Sequence, residues 1–135
     1  MRYAPYPSEA RAVPNMGDGE LMEYFLMRAF ETEEVWALRN TDGWLLQRRA
    51  EQLCLPVWPY RQFADETVVQ WRIESQPTAQ SLEFFINDTL LWLIDEDIGV
   101  DIMPRQDGCG CLMSPHRLLS IIEGMLDAGE YCLDG

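Results

Sequence analysis

The chain has 135 residues, of which 47% are hydrophobic, 23 are acidic and 10 are basic, for a formal net charge of −13. Every basic residue is an arginine, and the sequence contains no lysine. This length is close to the commonest size of a single domain and suffices for one buried core. A negative charge of this size repels nucleic-acid phosphates, which argues against nucleic-acid binding, and it favours association with a basic protein.

The first residues carry Pro5, Pro7 and Pro14 without a periodic apolar pattern. We interpret residues 1–16 as an extended N-terminal arm and residues 17–135 as a single α+β domain, without internal repeats. No apolar run approaches the ~18 residues that cross a membrane, and the start lacks the apolar segment of a secretory signal. We therefore expect a cytoplasmic protein that does not bind membranes.

A helix followed by a β-hairpin is predicted next. Asp18 is a suitable N-cap for a helix over 19–30, whose apolar residues recur every three or four positions. Two β-prone runs, 35–39 and 44–47, then flank a turn that contains Asp42-Gly43. Asp-Gly between such runs is a strong hairpin signal.

The middle of the chain is less regular. Residues 53–58 are predicted as a third strand, and Pro56 indicates an edge or a bulge because proline cannot donate to a ladder. Pro59 suits the first position of one or two helical turns over 60–65. Residues 68–73 fit either a strand or the tail of that helix, and Pro77 ends the segment.

The last third contains clearer boundaries. Ser81 is the predicted cap of a helix that extends to residue 94, and 98–103 alternate as a half-buried strand. A second Asp-Gly turn, at 105–108, leads to a short strand at 110–113. Ser114-Pro115 begins the final helix, which Gly129 ends. This order predicts one small antiparallel sheet, built from hairpins, with three main helices packed on it.

Several short motifs occur in a recognisable order along the chain. The succession resembles the bacterial family catalogued as domain of unknown function 2750, over residues 20–126. The resemblance implies a compact α+β domain and no established reaction. The family pattern usually has histidine at the position of Tyr60, so any chemistry of that histidine is missing here. The motifs are Glu34-Val35-Trp36-Ala37-Leu38, Asp42-Gly43-Trp44, Leu55-Pro56-Val57-Trp58-Pro59-Tyr60, Phe63-Ala64, Met103-Pro104 and Asp107-Gly108.

Cysteine and histidine chemistry remains an alternative. Cys109, Cys111 and the single histidine, His116, lie close in sequence, but the C-x-C spacing differs from the usual paired zinc motifs. A Cys–His catalytic pair would also need His116, which falls in the first turn of a helix. We expect free thiols in a reducing compartment and neither metal nor cofactor.

Other catalytic patterns find little support. Without lysine there is no Schiff-base chemistry and no phosphate-binding P-loop, and no G-x-G-x-x-G follows a strand. The run Asp95-Glu96-Asp97, with Asp101 nearby, could hold a metal or hydrolyse a glycoside, but adjacent acids in a connection are usually solvated. A small hydrolase that uses carboxylates or a Cys/His pair therefore stays a secondary hypothesis.

The leading hypothesis is a non-catalytic binding protein, most plausibly an immunity-type inhibitor of a basic bacterial toxin such as a secreted nuclease. A regulatory or adaptor module is the alternative that differs only in its partner. Tryptophans rimmed by acids would suit a partner rich in arginine or lysine. The predicted partner-binding residues are Glu31, Glu33, Glu34, Asp42, Trp44, Trp58, Asp95, Glu96, Asp97 and Asp101.

Overall fold

The structure, a computed structural model, describes residues 4–105 and 110–129. Its helices are α1 (Pro7–Ala12), α2 (Asp18–Thr32), α3 (Arg61–Trp71), α4 (Leu82–Phe84), α5 (Leu90–Asp95) and α6 (Pro115–Asp127). Its strands are β1 (Glu34–Asn40), β2 (Gly43–Trp44), β3 (Gln47–Arg49), β4 (Gln52–Val57), β5 (Gln76–Ser81), β6 (Gly99–Ile102) and β7 (Cys111–Met113). This mixture of helices and strands confirms the predicted α+β class.

The strands form two small sheets, ordered β2-β1-β5 and β3-β4-β6-β7. All pairs are antiparallel except β4 and β6, which run parallel. The sheets meet where Trp36 and Trp58 exchange backbone hydrogen bonds of 2.8 and 2.9 Å. The predicted single antiparallel sheet is therefore wrong in this detail. The chain between β4 and β6 contains α3, β5 and further helices, and such a long crossover connects parallel strands.

In the N-terminal segment (residues 4–16), residues 7–15 are helical, which corrects the extended arm that its prolines suggest. Pro7 begins α1, where its missing N–H is not needed, and a 3-10 turn follows at Val13–Asn15. So short a helix depends on packing. Glu9 accepts a hydrogen bond of 2.6 Å from the Tyr24 hydroxyl, and Val13 is buried.

The α2 helix agrees with its apolar spacing but starts earlier than predicted. Its N-cap is Gly17 rather than Asp18, and Glu20 Oε1 accepts a 3.2 Å hydrogen bond from the Gly17 amide. Phe25 and Ala29 on the predicted stripe are fully buried. The helix packs on β1, β6 and β7, and so it bridges the two sheets.

The predicted hairpin is confirmed. β1 and β2 pair Asn40 with Gly43, and Gly43 has a φ of 125°, a conformation that favours glycine. β5, which was not predicted, runs along the whole of β1 on its other side, from the pair Glu34–Ser81 to the pair Arg39–Gln76. Pro77 is tolerated there because β5 is an edge strand.

Pro56, expected at an edge or bulge, lies in an interior strand. Successive residues of a strand direct their amide groups to opposite sides. The Val57 oxygen accepts from Met103 N on the β6 side, whereas Trp58 bonds Trp36 on the other side. The Pro56 nitrogen therefore faces the side where β3 has already ended, since β3 pairs no farther than Cys54. No ladder hydrogen bond is lost.

Helix α3 is longer than its predicted two turns. Tyr60 is its N-cap, so Pro59 precedes the helix instead of occupying its first position. The helix continues to Trp71, and this assigns most of the ambiguous stretch 68–73 to a helical tail rather than a strand. Arg72, at a φ of 53°, ends it.

Residues 82–95 form one continuous helical run, which we call the composite helix. The Ser81 hydroxyl accepts a 3.0 Å hydrogen bond from Phe84 N, as predicted for its cap. A π-helical turn, Phe85–Thr89, separates α4 from α5. The apolar side, with Phe85, Leu90 and Leu93, is buried, and α5 packs against α6.

The final elements largely follow the prediction. β6 is fully buried rather than half-buried, because it lies between β4 and β7 in the interior of its sheet. The Asp107-Gly108 turn falls outside the described residues. Ser114 caps α6 through Arg117 N at 3.1 Å, and Gly129 follows the helix with a φ of 75°. Within the described ranges, no helix is both long and apolar enough to span a membrane.

Candidate functional site

A groove of about 300 Å³ lies between β2 and the composite helix. Its walls are Trp44, Phe84, Asp88, Thr89 and Trp92. Phe84 is 51% exposed and Trp92 is 40% exposed. Three aromatic rings thus surround one carboxylate in contact with solvent. We call this feature the aromatic groove.

The spacing of the composite helix explains how the groove forms. Phe84, Asp88 and Trp92 are four residues apart, so they occupy one side of the helix. Phe85 and Leu93 occupy the other side and are fully buried in the core. The core contacts therefore direct the two rings and the carboxylate outward, toward Trp44 at the end of the hairpin.

A buried polar contact fixes the floor of the groove. The Thr89 hydroxyl donates to Gln80 Oε1, which ties the π-helical turn to β5. Both side chains are buried, and Gln80 Nε2 has no hydrogen-bond partner among the described residues. Single π-helical turns inside α-helices frequently occur at functional sites. The turn here coincides with the groove.

The surface that continues from the groove along the composite helix is acidic. Asp88, Asp95 and Glu96 are exposed, and so is Leu91, at 48%. The sequence has no basic residue between 82 and 98. The result is an exposed face on which apolar and acidic side chains alternate, and its field attracts cations.

One ring of the groove, that of Trp44, already contacts an arginine of the same chain. The Arg39 guanidinium lies 5.3 Å from the centre of the Trp44 ring. Cations are attracted to the face of tryptophan more strongly than to the other aromatic side chains. The contact shows that a guanidinium group can lie against the Trp44 ring at this surface.

Several predicted partner-binding residues lie at or near the groove. Trp44 lines it, and Asp42 is exposed in the adjoining turn between β1 and β2. Asp95, Glu96 and Asp97 are exposed where the composite helix ends. These positions extend the acidic surface away from Trp92.

The acids at the end of α2 do not line the groove. Glu31 forms a 2.8 Å ion pair with Arg28. Glu33, which ends α2 in the left-handed conformation, accepts a hydrogen bond from Leu82 N through its carbonyl oxygen. Glu34 begins β1. The three lie toward the start of the composite helix, opposite the end that carries Asp95.

Trp58 and Asp101 are corrections, because both are buried rather than at the surface. Trp58 is 1% exposed, since its backbone joins the two sheets at Trp36. Asp101 is 0% exposed, since it lies on the interior strand β6. Neither side chain can contact a partner in this conformation.

The Asp101 side chain instead forms hydrogen bonds inside the protein. Its carboxylate accepts from Arg49 Nη1 at 2.8 Å, from Gln47 Nε2 at 2.7 Å and from Gly110 N at 3.1 Å. Burial raises the pKa of Asp101, and the Arg49 guanidinium opposes that rise. Removing one member of a buried ion pair typically costs ~3–5 kcal/mol. The cluster joins β3 to the connection between β6 and β7.

Phe84, Asp88 and Trp92 were not predicted from the sequence as site residues. The signal for them exists, since they recur every four residues and fall off the predicted core stripe of the helix. Large aromatic residues at such positions are candidates for the surface. What the spacing does not show is that Trp44, forty residues away from Phe84, completes the same groove.

The two cysteines in the described part of the chain, Cys54 and Cys111, give no support to nucleophilic chemistry. Burial raises the pKa of Cys54 to about 11, with Asp101 adding to the effect. Burial also raises the pKa of Cys111, with Asp18 and Asp101 as further causes. Reactive cysteines instead have lowered pKa values, because the thiolate is the nucleophile.

His116 is exposed in the first turn of α6, and Cys109 falls outside the described residues. Within residues 4–105 and 110–129, no group of three or more His, Cys, Asp or Glu side chains could hold a metal ion.

Comparison with known proteins gives one match. Neither the curated proteins nor the solved structures contain a significant match to this chain. The family model described as "Protein of unknown function (DUF2750)" matches residues 22–122, a range that includes every residue of the aromatic groove. The match confirms the resemblance seen in the sequence motifs, and the chain belongs to the DUF2750 family of proteins of unknown function.

Proposed function

We propose that the protein is a non-catalytic, cytoplasmic binding protein whose aromatic groove receives a cationic side chain of a basic protein partner. The observation that carries this proposal is the groove itself, in which Trp44, Phe84 and Trp92 surround Asp88 and to which the composite helix contributes no basic residue. Aromatic rings and a carboxylate together are the features that recognise arginine or lysine.

The geometry suggests a division of roles. Asp88 forms the ion pair with the incoming guanidinium or ammonium group, and Trp92 or Trp44 offers a ring face for a cation–π contact worth ~0.5–2 kcal/mol. Phe84 covers the aliphatic stem of the same side chain. Asp95 and Glu96 act at longer range, where they raise the rate of association more than the affinity.

We further propose that the partner is a bacterial toxin, such as a secreted nuclease, and that the protein acts as its immunity-type inhibitor. A nuclease needs a basic cleft to hold phosphates, and a surface of the opposite charge can occupy that cleft. The overall charge of −13 supports this choice over a neutral or acidic partner.

The first test is affinity capture from the native host with wild-type protein and two variants. The groove variant Phe84→Ala/Asp88→Asn/Trp92→Ala removes the groove chemistry. The control Asp65→Asn/Val69→Ala removes an exposed acid and an exposed apolar side chain from α3 instead. We expect wild type and control to capture the same basic protein, and the groove variant to bind it at least roughly 30-fold more weakly.

Growth assays distinguish a toxin inhibitor from a regulatory or adaptor protein. The captured partner, produced alone, should arrest growth, and co-production of the wild-type protein should relieve the arrest where the groove variant does not. Equal affinity of the groove variant would contradict the groove as the binding site. A captured basic partner that is harmless to cells would be consistent with binding at the groove but would contradict the proposal that the partner is a toxin. This result would favour the regulatory or adaptor alternative.

A further inference from the structure

A second site, which shares no residue with the aromatic groove, lies beyond the C-terminal end of β4. A cavity of about 90 Å³, partly open to solvent, is lined by Trp58, Phe63 and Met103 and, from the N-terminal segment, by Val13 and Pro14. At ~30 Å³ for each molecule of liquid water, it has room for about three water molecules.

The position of the cavity in the fold is informative. The parallel strands β4 and β6 end with the pair Val57–Ile102, and Trp58 and Met103 are the next residue of each chain segment. Both residues line the cavity. In open sheets with parallel strands, ligands bind outside the carboxyl ends of those strands. This cavity occupies that place.

The backbone at the cavity is strained. Met103 has a φ of 55°, in the left-handed region that a residue with a side chain seldom adopts. Its amide still donates to the Val57 oxygen at 2.9 Å, and its side chain is 1% exposed. This turn directs Met103 and Arg105 along the cavity wall. Strain of this kind clusters at functional sites.

The lining has an apolar and a polar side. Trp58, Phe63 and Met103 provide two rings and a thioether, whereas Glu66 and Arg105 provide opposite charges. Because these two charges cancel, the lining favours an uncharged ligand over an ion. The apolar side suits one ring, and the polar side suits one hydrogen-bonding group.

The N-terminal segment has the properties of a movable cover. Of residues 4–16, only Pro5 and Val13 are buried. Ala10 and Met16 are partly buried against the core, and polar contacts add to them: Glu9 pairs with Arg28 at 3.2 Å, and Arg105 donates to the Met16 oxygen. Segments with few buried apolar contacts open at a low cost in free energy. The segment also precedes the family match, which begins at residue 22.

We propose that this cavity binds a small uncharged compound made of one aromatic ring with one hydrogen-bonding group, and that the N-terminal segment covers it. The ring lies against Trp58, Phe63 and Met103, and the polar group faces Glu66 and Arg105. Lifting of the segment widens the opening through which the compound enters.

Phenol is the probe for the test, titrated into the full-length protein and followed by ligand-observed NMR. We expect saturable binding with a dissociation constant on the order of 1 mM, as fits so small a ligand, and nuclear Overhauser contacts from phenol to the Met103 methyl group. Ala10→Phe fills the cavity from the cover and should weaken binding at least about tenfold. Ala12→Phe, on the exposed side of the same helix, should leave it unchanged.

The cover is tested separately. Glu9→Gln weakens the contacts with Arg28 and Tyr24, so the exchange of phenol should become faster. Non-saturable binding, an absence of contacts to Met103, or equal affinity of Ala10→Phe and the wild type would overturn the site. Unchanged exchange in Glu9→Gln would overturn the covering role of the segment. None of these results depends on the aromatic groove or on a protein partner.

Discussion

At the scale of single residues, Gly110 illustrates a glycine required for space. Its amide donates to Asp101 and its carbonyl accepts from Arg49 at 3.3 Å, so its backbone sits against the buried cluster. A Cβ atom at this position would lie 2.2 Å from the Ile102 oxygen and 2.7 Å from the Pro104 nitrogen. Backbone atoms cannot move aside to make room for this Cβ atom, whereas the end of a flexible side chain could.

Gly110→Ala should therefore destabilise the protein strongly. We expect the free energy of unfolding to fall by about 3 kcal/mol or more, because overpacking here displaces backbone and disturbs the Asp101 hydrogen bonds. Urea denaturation followed by circular dichroism measures the change.

Gly124→Ala is the matched control for this substitution. Apart from its chain neighbours and the backbone of its own helix, no atom of the described residues lies within 4 Å of a Cβ built at Gly124, which is in the interior of α6. Replacing glycine by alanine in a helix should raise stability by about 0.5–1 kcal/mol. Equal effects of the two substitutions would show that the space around Gly110 does not matter.

Two tryptophans, Trp44 and Trp58, show that the burial of a single side chain cannot always be predicted from the sequence. Trp44 follows Asp42-Gly43 and Trp58 lies between Val57 and Pro59, and the sequence predicts both at the surface. Trp44 is half-buried at the groove, but Trp58 is enclosed because it pairs with Trp36 across the two sheets. That pairing joins segments that local sequence does not connect.

At the scale of elements, the docking of the N-terminal segment depends on Tyr24 of α2. Burial and the hydrogen bond to Glu9 raise the pKa of Tyr24 far above its ordinary value of 10.0. The folded protein therefore keeps this proton at a pH where the unfolded chain releases it. Above pH 10, each increase in pH favours the unfolded state, so stability should decrease.

Comparison of the wild type with Tyr24→Phe isolates this effect. Thermal midpoints between pH 9 and pH 11.5 should fall less steeply in the variant, since the variant has no proton to lose at this position. Cys54, with its pKa raised to about 11, contributes a decline of the same sign in both proteins and cancels in the comparison. Identical slopes in the two proteins would mean that the unfolded and folded states hold the Tyr24 proton alike.

Elements with local signals could be predicted, and elements formed by long-range pairing could not. Asp42-Gly43, Ser81 and Ser114-Pro115 marked a hairpin and two helix starts, since turn and cap chemistry depends on a few adjacent residues. β5 has few apolar residues and acquires its conformation from β1. The parallel pairing of β4 with β6 likewise depends on the whole crossover between them.

At the scale of the whole molecule, the two proposed sites differ in their relation to the family. The aromatic groove lies within the matched range, and so does the floor of the cavity at Trp58, Phe63 and Met103. The roof of the cavity, at Val13 and Pro14, lies before that range. A protein that retains the matched domain but has a different N-terminus would therefore keep the groove and change access to the cavity.

The charge of the whole molecule also affects its stability. At −13, like charges repel one another more strongly in the compact state than in the expanded chain. Salt reduces this repulsion, as the Debye length falls from about 30 Å at 0.01 M to about 3 Å at 1 M. The thermal midpoint should therefore rise between 0.01 M and 0.5 M sodium chloride.

Neutralising the exposed acids after α5 should reduce that dependence. The variant Asp95→Asn/Glu96→Gln/Asp97→Asn has a formal charge of −10, since −13 plus 3 is −10. It should melt at a higher temperature than the wild type in 0.01 M salt, and the two midpoints should converge in 0.5 M salt. If the variant instead melts lower at both salt concentrations, these carboxylates stabilise the fold through local contacts. Their surface would then be occupied within the protein and less suited to attract a basic partner.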